Sequence, residues 1–316
     1  MTPAKASHAN AAAAVAFAAA TWGCAFPATR FLLDAGLSVG ALLTLRFALG
    51  AAALLAIALA AGVPWRRGDL RDGLVLGLVL AALFWLQTDG LRFTTTTKNA
   101  FITGLYVIFT PLVALAAGDR LRPVHGAAAL VAFLGLALLV FRPGESFGGW
   151  HLRGDTFTLL NAVLVGVHIV LTAHYSRRAD PWVLALVQVA FVGAVSAGVA
   201  LAFPETYGFR GGRGLDRGDV WVALGFLGLL ATTLAFWLQS RYQAQLGATE
   251  AGVLLSMEPV WATLLAVSGL VPGVRDRLSA TQWAGAAVLV AAALLAELGP
   301  RLLGRPSAPG GEEAIG

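Results

Sequence analysis

Charge is scarce in this chain of 316 residues. Asp, Glu, Lys and Arg make up 12% of it, roughly half the share of a soluble domain. Hydrophobic residues make up 58%, and the mean hydropathy is +0.76. So little polar surface cannot cover a water-soluble globule, which leaves an integral membrane protein. Cysteine is almost missing too. The single Cys24 lies in an apolar run. It supports no disulfide and lacks partners for a metal site, so packing is its expected role. There is no H-E-x-x-H and no G-x-x-x-x-G-K-[ST], so neither that zinc chemistry nor direct nucleotide drive is indicated. No cofactor and no metal are expected. The pI near 10 would suggest nucleic acid in a soluble protein. Here the basic residues sit in short loops between apolar runs, where they orient helices and meet anionic lipid. A cleaved leader is also disfavoured: only Lys5 supplies a basic start, and the apolar run continues through Leu33, too long for a signal core.

What the chain does have is a repeat. Phe84-Trp85-Leu86-Gln87 returns as Phe236-Trp237-Leu238-Gln239. Ten residues after each Gln stands a Thr, Thr97 and Thr249. Each copy then reaches a proline, in Thr110-Pro111-Leu112 and Glu258-Pro259-Val260, and afterwards Asp119-Arg120-Leu121 and Asp276-Arg277-Leu278. Four anchors in one order indicate two homologous halves, 10–143 and 153–299, joined near Gly144–Arg153. The polar remainder, 300–316, is expected as a disordered tail.

A spanning helix needs about 20 apolar residues. Ten runs qualify, at 10–33, 39–61, 70–92, 97–117, 123–141, 153–175, 182–203, 219–241, 248–272 and 281–299. They are long and do not alternate, which indicates helices rather than barrel strands and hence an all-α integral membrane protein. Five spans per half is odd, so the second half enters from the opposite side, giving two inverted five-helix repeats. Ten spans put both termini on one side. Apart from Arg30 and Arg46 inside spans, eleven Lys and Arg residues fall on the terminal side and nine on the other, which favours cytoplasmic termini.

These motifs resemble the drug/metabolite transporter superfamily, EamA type. Thr97-Lys98-Asn99-Ala100-Phe101-Ile102-Thr103-Gly104-Leu105-Tyr106 followed by Pro111 is similar to that family's fourth-helix signature. Gly247-Ala248-Thr249-Glu250-Ala251 followed by Met257-Glu258-Pro259-Val260 is similar to its ninth. Trp22-Gly23 and Leu45-Arg46-Phe47 also fit. The resemblance covers residues 11 to 299. It implies a ten-helix transporter of two EamA repeats in the cell (cytoplasmic) membrane, with an exporting direction favoured over import. It implies no single substrate.

Polar side chains within a span are costly, so their positions inform. Asn161, His168, Thr172 and Tyr175 share one helical face, as do Asn99, Thr103, Tyr106 and Thr110. The eighth span carries Thr232, Phe236, Gln239 and Gln243, the third Trp85 and Gln87, and the first Trp22, Thr29 and Arg30. Spans one, three, four, six, eight and nine should therefore line a wet cavity. Spans five and ten hold almost nothing polar and should face lipid or a second copy in a homodimer. The expected substrate-binding set is Trp22, Trp85, Gln87, Asn99, Thr103, Tyr106, His168, Trp237 and Gln239. The alternatives are interhelical hydrogen bonds for the amides and hydroxyls and an interfacial belt for Trp85 and Trp237. Arg46 reads as a counter-ion, a snorkelling side chain or a substrate contact. Pro111 and Pro259 each remove a backbone hydrogen bond in mid-span and are expected to break their helices at matching points of the two halves, or merely to kink them. Glu258 is the one carboxylate deep in a span; Asp89 and Glu250 lie near ends, where water should reach them. Desolvation disfavours the charged form of such a group, which suits a proton-coupling site. The structural alternative is a bond to freed backbone or a pair with Arg30 or Arg46.

These features describe a secondary transporter, not an enzyme. It would move a small amphipathic metabolite, an amino-acid-like compound or a drug, with efflux and coupling to protons through Glu258. The rival class is a polytopic membrane enzyme acting on a lipid or lipid-linked substrate.

Overall fold

The structure, a computed structural model, describes residues 8–94, 96–140, 151–209, 214–268 and 279–302. Among them are helices and turns and no strand. In a bilayer this is the economical solution, since a helix satisfies its own backbone groups where no water can. The spans are α1 (His8–Asp34), α2 (Val39–Ala60), α3 (Arg67–Leu91), α4 (Thr96–Gly104 and Tyr106–Ala116), α5 (Pro123–Val140), α6 (Leu152–Tyr175), α7 (Pro181–Ala202), α8 (Gly218–Gly225, Phe226–Leu234 and Ala235–Tyr242), α9 (Ala248–Leu255 and Glu258–Ser268) and α10 (Ala280–Leu302). A one-turn helix, Pro204–Tyr207, follows α7. Among the described residues, nine of the ten are long and apolar enough to cross a membrane. The exception is α9, interrupted at Ser256–Met257.

The ends carry the sequence signals that stop a helix. Ser38 caps α2, its hydroxyl accepting from Ala41 N–H at 3.0 Å. Asp180 caps α7 ahead of Pro181, accepting from Trp182 N–H at 2.8 Å. His151 caps α6, its Nδ1 accepting from Gly154 N–H at 3.1 Å. Between caps, exposed leucines such as Leu78, Leu130, Leu134 and Leu294 cover the outside, as a lipid-facing surface requires.

The packing has the symmetry that the repeat foretells. Exchanging α1–α5 with α6–α10 maps α3 on α6 onto α8 on α1, α3 on α7 onto α8 on α2, and α1 on α9 onto α6 on α4. The pairs α2–α7 and α5–α10 map onto themselves. All of these pairs pack in the structure. At the centre of the α5–α10 contact stand Gly135 and Gly285. A Cβ on Gly285 would meet the backbone nitrogen of Leu139 and the carbonyl carbon of Leu138, and one on Gly135 would meet the backbone nitrogen of Leu289. Only bare backbones approach this closely, which is how small residues join helices where no hydrophobic drive operates. So α5 and α10 spend one face on each other and present the other to the surroundings.

Three sequence expectations need adjustment here. α10 runs to Leu302, three residues into the stretch expected as tail; residues 303–316, the joint at 141–150 and the loop containing Asp276-Arg277-Leu278 lie outside the described residues. Asp89 and Glu250 are not reached by water. Both are buried, Asp89 between Arg92 at 3.0 Å and Arg153 at 2.7 Å. Finally, neither break falls at its proline. α4 breaks at Leu105, six residues before Pro111. α9 breaks just ahead of Pro259, which takes the second position of the new helix, where its missing N–H costs nothing.

Candidate functional site

α1 begins, and α10 ends, at one end of the bundle, the terminal end. At the opposite, far end lies a depression of about 400 Å³ whose wall includes Arg30, Asp34, Ser38 and Arg92. One residue deeper along α1 and α3, Thr29 and Leu91 border a first internal cavity of about 50 Å³. A second, of about 70 Å³, continues inward past Leu80, Leu83 and Thr103 to His168. Trp22, Phe84, Gln87 and Glu258 wall both. The two together hold a few waters, at about 30 Å³ each, and fall well below the roughly 300 Å³ where small-molecule pockets begin. The bundle is closed around this centre, and spans must part to admit a solute.

Each Phe-Trp-Leu-Gln copy sends Phe and Gln inward: Phe84 and Gln87 from α3, Phe236 and Gln239 from α8. A helix turns about 100° per residue, so the intervening Trp points elsewhere. Trp85 donates from its indole to Ser196 Oγ at 3.1 Å and meets Tyr207 edge-on. Trp237 lies against Trp182, ring centroids 4.8 Å apart. The expectation that Trp85 and Trp237 line the cavity is corrected: neither belongs to its wall, and both pack against α7 or its connection. Trp22 does belong. Its indole donates to Ala231 O at 2.8 Å and its ring tilts against Phe236 at 5.1 Å.

The rest of the expected set converges. Gln87, Asn99, Thr103, Tyr106, His168 and Gln239 all border the cavities. Several also make interhelical bonds. Asn99 donates to Thr158 Oγ1 at 2.8 Å, and Thr103 accepts from Asn161 at 3.1 Å. Asn161 borders neither cavity, and its bond is of the interhelical kind. The oxygens Asn99 Oδ1 and Gln239 Oε1 are buried with no hydrogen-bond partner among the described residues. A buried unsatisfied acceptor is costly, so these two mark where a donor is missing.

Glu258 stands at the break in α9 and accepts from Tyr106 Oη at 3.1 Å; Tyr106 opens the second half of α4, immediately after that span's own break. Carboxylate and phenol thus join the two broken spans. Gly23 of α1 lies flat on the same break, where a Cβ would strike the backbone oxygen of Glu258. Glu258 pairs with neither Arg30 nor Arg46; Arg30 is held by Asp34 at 3.0 Å.

Two residues at or behind the cavity wall were underrated or missed. Arg46 does not snorkel. It is buried, donates to Thr232 Oγ1 at 2.9 Å, lies 4.8 Å over the Phe84 ring, and has no carboxylate in ion-pair reach among the described residues. That adds α2 to the cavity wall. Gln188 of α7 accepts from His168 Nε2 at 2.8 Å while its own amide donates to Ser240 Oγ at 3.3 Å. With the amide in this orientation, the bond places a proton on His168 Nε2. The only sequence signal for Gln188 was its being one of two polar residues, with Ser196, in the span Pro181–Ala202.

Arg46, Thr232 and Trp22 all meet at Phe226–Leu234, a stretch wound as a π-helix. Such segments gather at functional sites because they leave carbonyls for other donors; here Ala231 O accepts from Trp22. The stretch Gly144-Glu145-Ser146-Phe147-Gly148 fits the loose G-x-S-x-G pattern of hydrolases. It lies outside the described residues, and the described chain has no strand to form the strand–turn–helix that this motif requires.

Comparison with known proteins agrees with the geometry. The model of the EamA-like transporter family matches residues 10–141 and 152–298. A protein of Archaeoglobus fulgidus described as an uncharacterized transporter is 29% identical over 286 residues, spanning 90% of this chain and 84% of the relative. A solved crystal structure superposes with a TM-score of 0.73 at 23% identity, over 95% of this chain and 99% of the other. That likeness concerns the fold.

Proposed function

The chain belongs to the EamA-like transporter family, and from that premise we propose that it is a secondary active transporter of a small amphipathic, amino-acid-like solute. The observation that carries this reading is the composition of the cavity wall. Arg46 offers a buried, carboxylate-free cation; Asn99 and Gln239 offer open acceptors; Glu258 offers an anion; and Trp22, Phe84 and Phe236 offer aromatic faces. A solute with a carboxylate, an amine and an apolar body satisfies all four kinds of group. The rival reading, an enzyme acting on lipid, has only the Tyr106–Glu258 pair to work with in this wall, and the family membership favours transport.

Protons drive the cycle through Glu258. Protonated, the group tolerates the closed bundle; ionised, it needs the solute's cation or water. Proton and solute therefore alternate in one cavity, which gives antiport. With both termini cytoplasmic, the depression at the far end opens outward; proton entry down an inward gradient, exchanged for solute, gives efflux. The deciding experiment uses Glu258→Gln in proteoliposomes. The Gln variant should exchange solute across a membrane at equal pH but fail to accumulate it from a pH gradient. Uphill accumulation by that variant would rule out coupling through Glu258.

A further inference from the structure

Away from the cavity, at the terminal end, two histidines and two glutamates from four different spans come together: His8 on α1, His125 on α5, Glu250 on α9 and Glu297 on α10. We propose that they form a binding site for one divalent transition-metal ion, Zn²⁺ being the best fit.

The geometry comes first. His8 Nε2 lies 3.2 Å from Glu250 Oε1, and His8 Nδ1 lies 3.1 Å from Glu297 Oε2. One ligand atom from each of these three residues falls within 4.8 Å of the others. His125 Nε2 faces the second oxygen of Glu250 from 3.8 Å. It is too far for a hydrogen bond, and it has no hydrogen-bond partner although His125 is only 7% exposed. Two donors on one zinc, each about 2.0–2.1 Å away in tetrahedral array, stand about 3.3 Å apart. The individual contacts of 3.1–3.8 Å lie around that value; a single ion takes one ring nitrogen of His8, whose set with Glu250 and Glu297 spans up to 4.8 Å, so side-chain rotation must draw the donors in on binding.

Charge gives the second argument. Glu250 is 3% exposed, and two carboxylates this close repel in a medium that screens little. One divalent cation with two neutral imidazoles cancels both negative charges. The donor set selects the metal class: imidazole with carboxylate suits zinc and its first-row neighbours, whereas calcium and magnesium prefer oxygen alone.

The placement gives the site a consequence. Glu250 belongs to Ala248–Leu255, the half of α9 that ends at the break and puts Leu255 into the cavity wall. A bound ion would fasten that half to α1, α5 and α10 and hold the terminal end shut. None of the four residues is near another in the chain, so no spacing pattern could announce the site.

The test uses the full chain, purified without a polyhistidine tag, stripped with chelator and titrated with Zn²⁺ alone. Expected are one zinc per chain by elemental analysis, a rise in Tm of several degrees, and no response to Mg²⁺. His125→Ala and Glu250→Gln should each weaken binding by more than about 10–100-fold, the loss typical of a ligand's outer-shell partner. His8→Ala, at the outer end of α1 where folding is least at risk, should do the same. Substoichiometric zinc, or stoichiometric zinc unchanged in His8→Ala and His125→Ala, would overturn the proposal; the second result would place the ion elsewhere, for instance on the exposed His151.

Discussion

Tyr106 and Glu258 bind one broken span to the other: the phenol of α4 donates to the carboxylate of α9 at 3.1 Å. The two residues flank the breaks of spans that the repeat makes equivalent, so the bond lies close to the symmetry axis and couples the halves. Tyr106→Phe keeps the ring and removes the donor. We expect a loss of about 1 kcal/mol in stability and at least a tenfold drop in pH-driven accumulation, measured per folded molecule in proteoliposomes. Unchanged accumulation would detach this bond from the cycle.

The aromatic placement predicts an inversion of what the repeated motif suggests. Phe84→Ala and Phe236→Ala should reduce transport strongly, because both rings wall the cavity. Trp85→Phe should leave transport within about twofold, since it loses only the bond to Ser196, worth about 1 kcal/mol. Uptake normalised to folded protein distinguishes the two sets, and equal losses would contradict the geometry.

At the α5–α10 crossing, Gly285→Ala forces a methyl against the backbone of Leu138 and Leu139. We expect a destabilisation of about 1–3 kcal/mol, read as a lower Tm in detergent. Gly198→Ala, on α7 with nothing within 4 Å of the added carbon, should be neutral or slightly stabilising. The same Tm for both variants would argue against this backbone contact.

Lys98 and Asp155 form a buried pair at 2.6 Å, with Asp155 also accepting from Thr94 and from the His151 N–H. Lys98→Met strands a buried carboxylate and should cost about 3–5 kcal/mol; adding Asp155→Asn should recover part of it. A double variant no better than the single one would show that the pair is not what stabilises this end.

Sidedness is open to a direct test in a Cys24→Ser background. Trp65→Cys lies in the exposed turn between α2 and α3 at the terminal end, and Phe209→Cys lies exposed at the far end. With cytoplasmic termini, an impermeant thiol reagent should label only the second in intact cells. Labelling of the first alone would invert the assignment.

The fold was readable because its signals are local and redundant. Runs of apolar residues gave the spans, and the recurring Phe-Trp-Leu-Gln motif gave the halves. The cavity was readable in part, since deep polar residues such as Asn99, His168 and Glu258 declare themselves by their cost in lipid. What sequence could not carry was direction around the helix at short range. Trp85 and Gln87 looked like neighbours on one wall, yet the step between them turns the indole onto α7. Nor could it carry convergence. Gln188 matters through His168, and Arg46 is a cavity residue only because Phe84 and Thr232 arrive beside it.

The π-wound stretch Phe226–Leu234 behaves as a register spacer. α3 is α-helical from Arg67 to its Phe-Trp-Leu-Gln copy, whereas α8 passes through the wider winding before reaching its own. Each π turn holds about one residue more than an α turn. Rewound as α-helix with its length kept, the stretch would rotate the rest of α8 by roughly 100° or more. Phe236 and Gln239 would then swing off the cavity, and Trp237 would move toward their bearing. Loss of one residue from the stretch offsets about 100° of that rotation, because surplus and winding disappear together. Within α8, therefore, a one-residue deletion ahead of the motif is best absorbed between Phe226 and Leu234, while one in the α-helical turn Gly218–Gly225 misaims the motif. Length and winding are tied to each other in this span, and neither can drift alone.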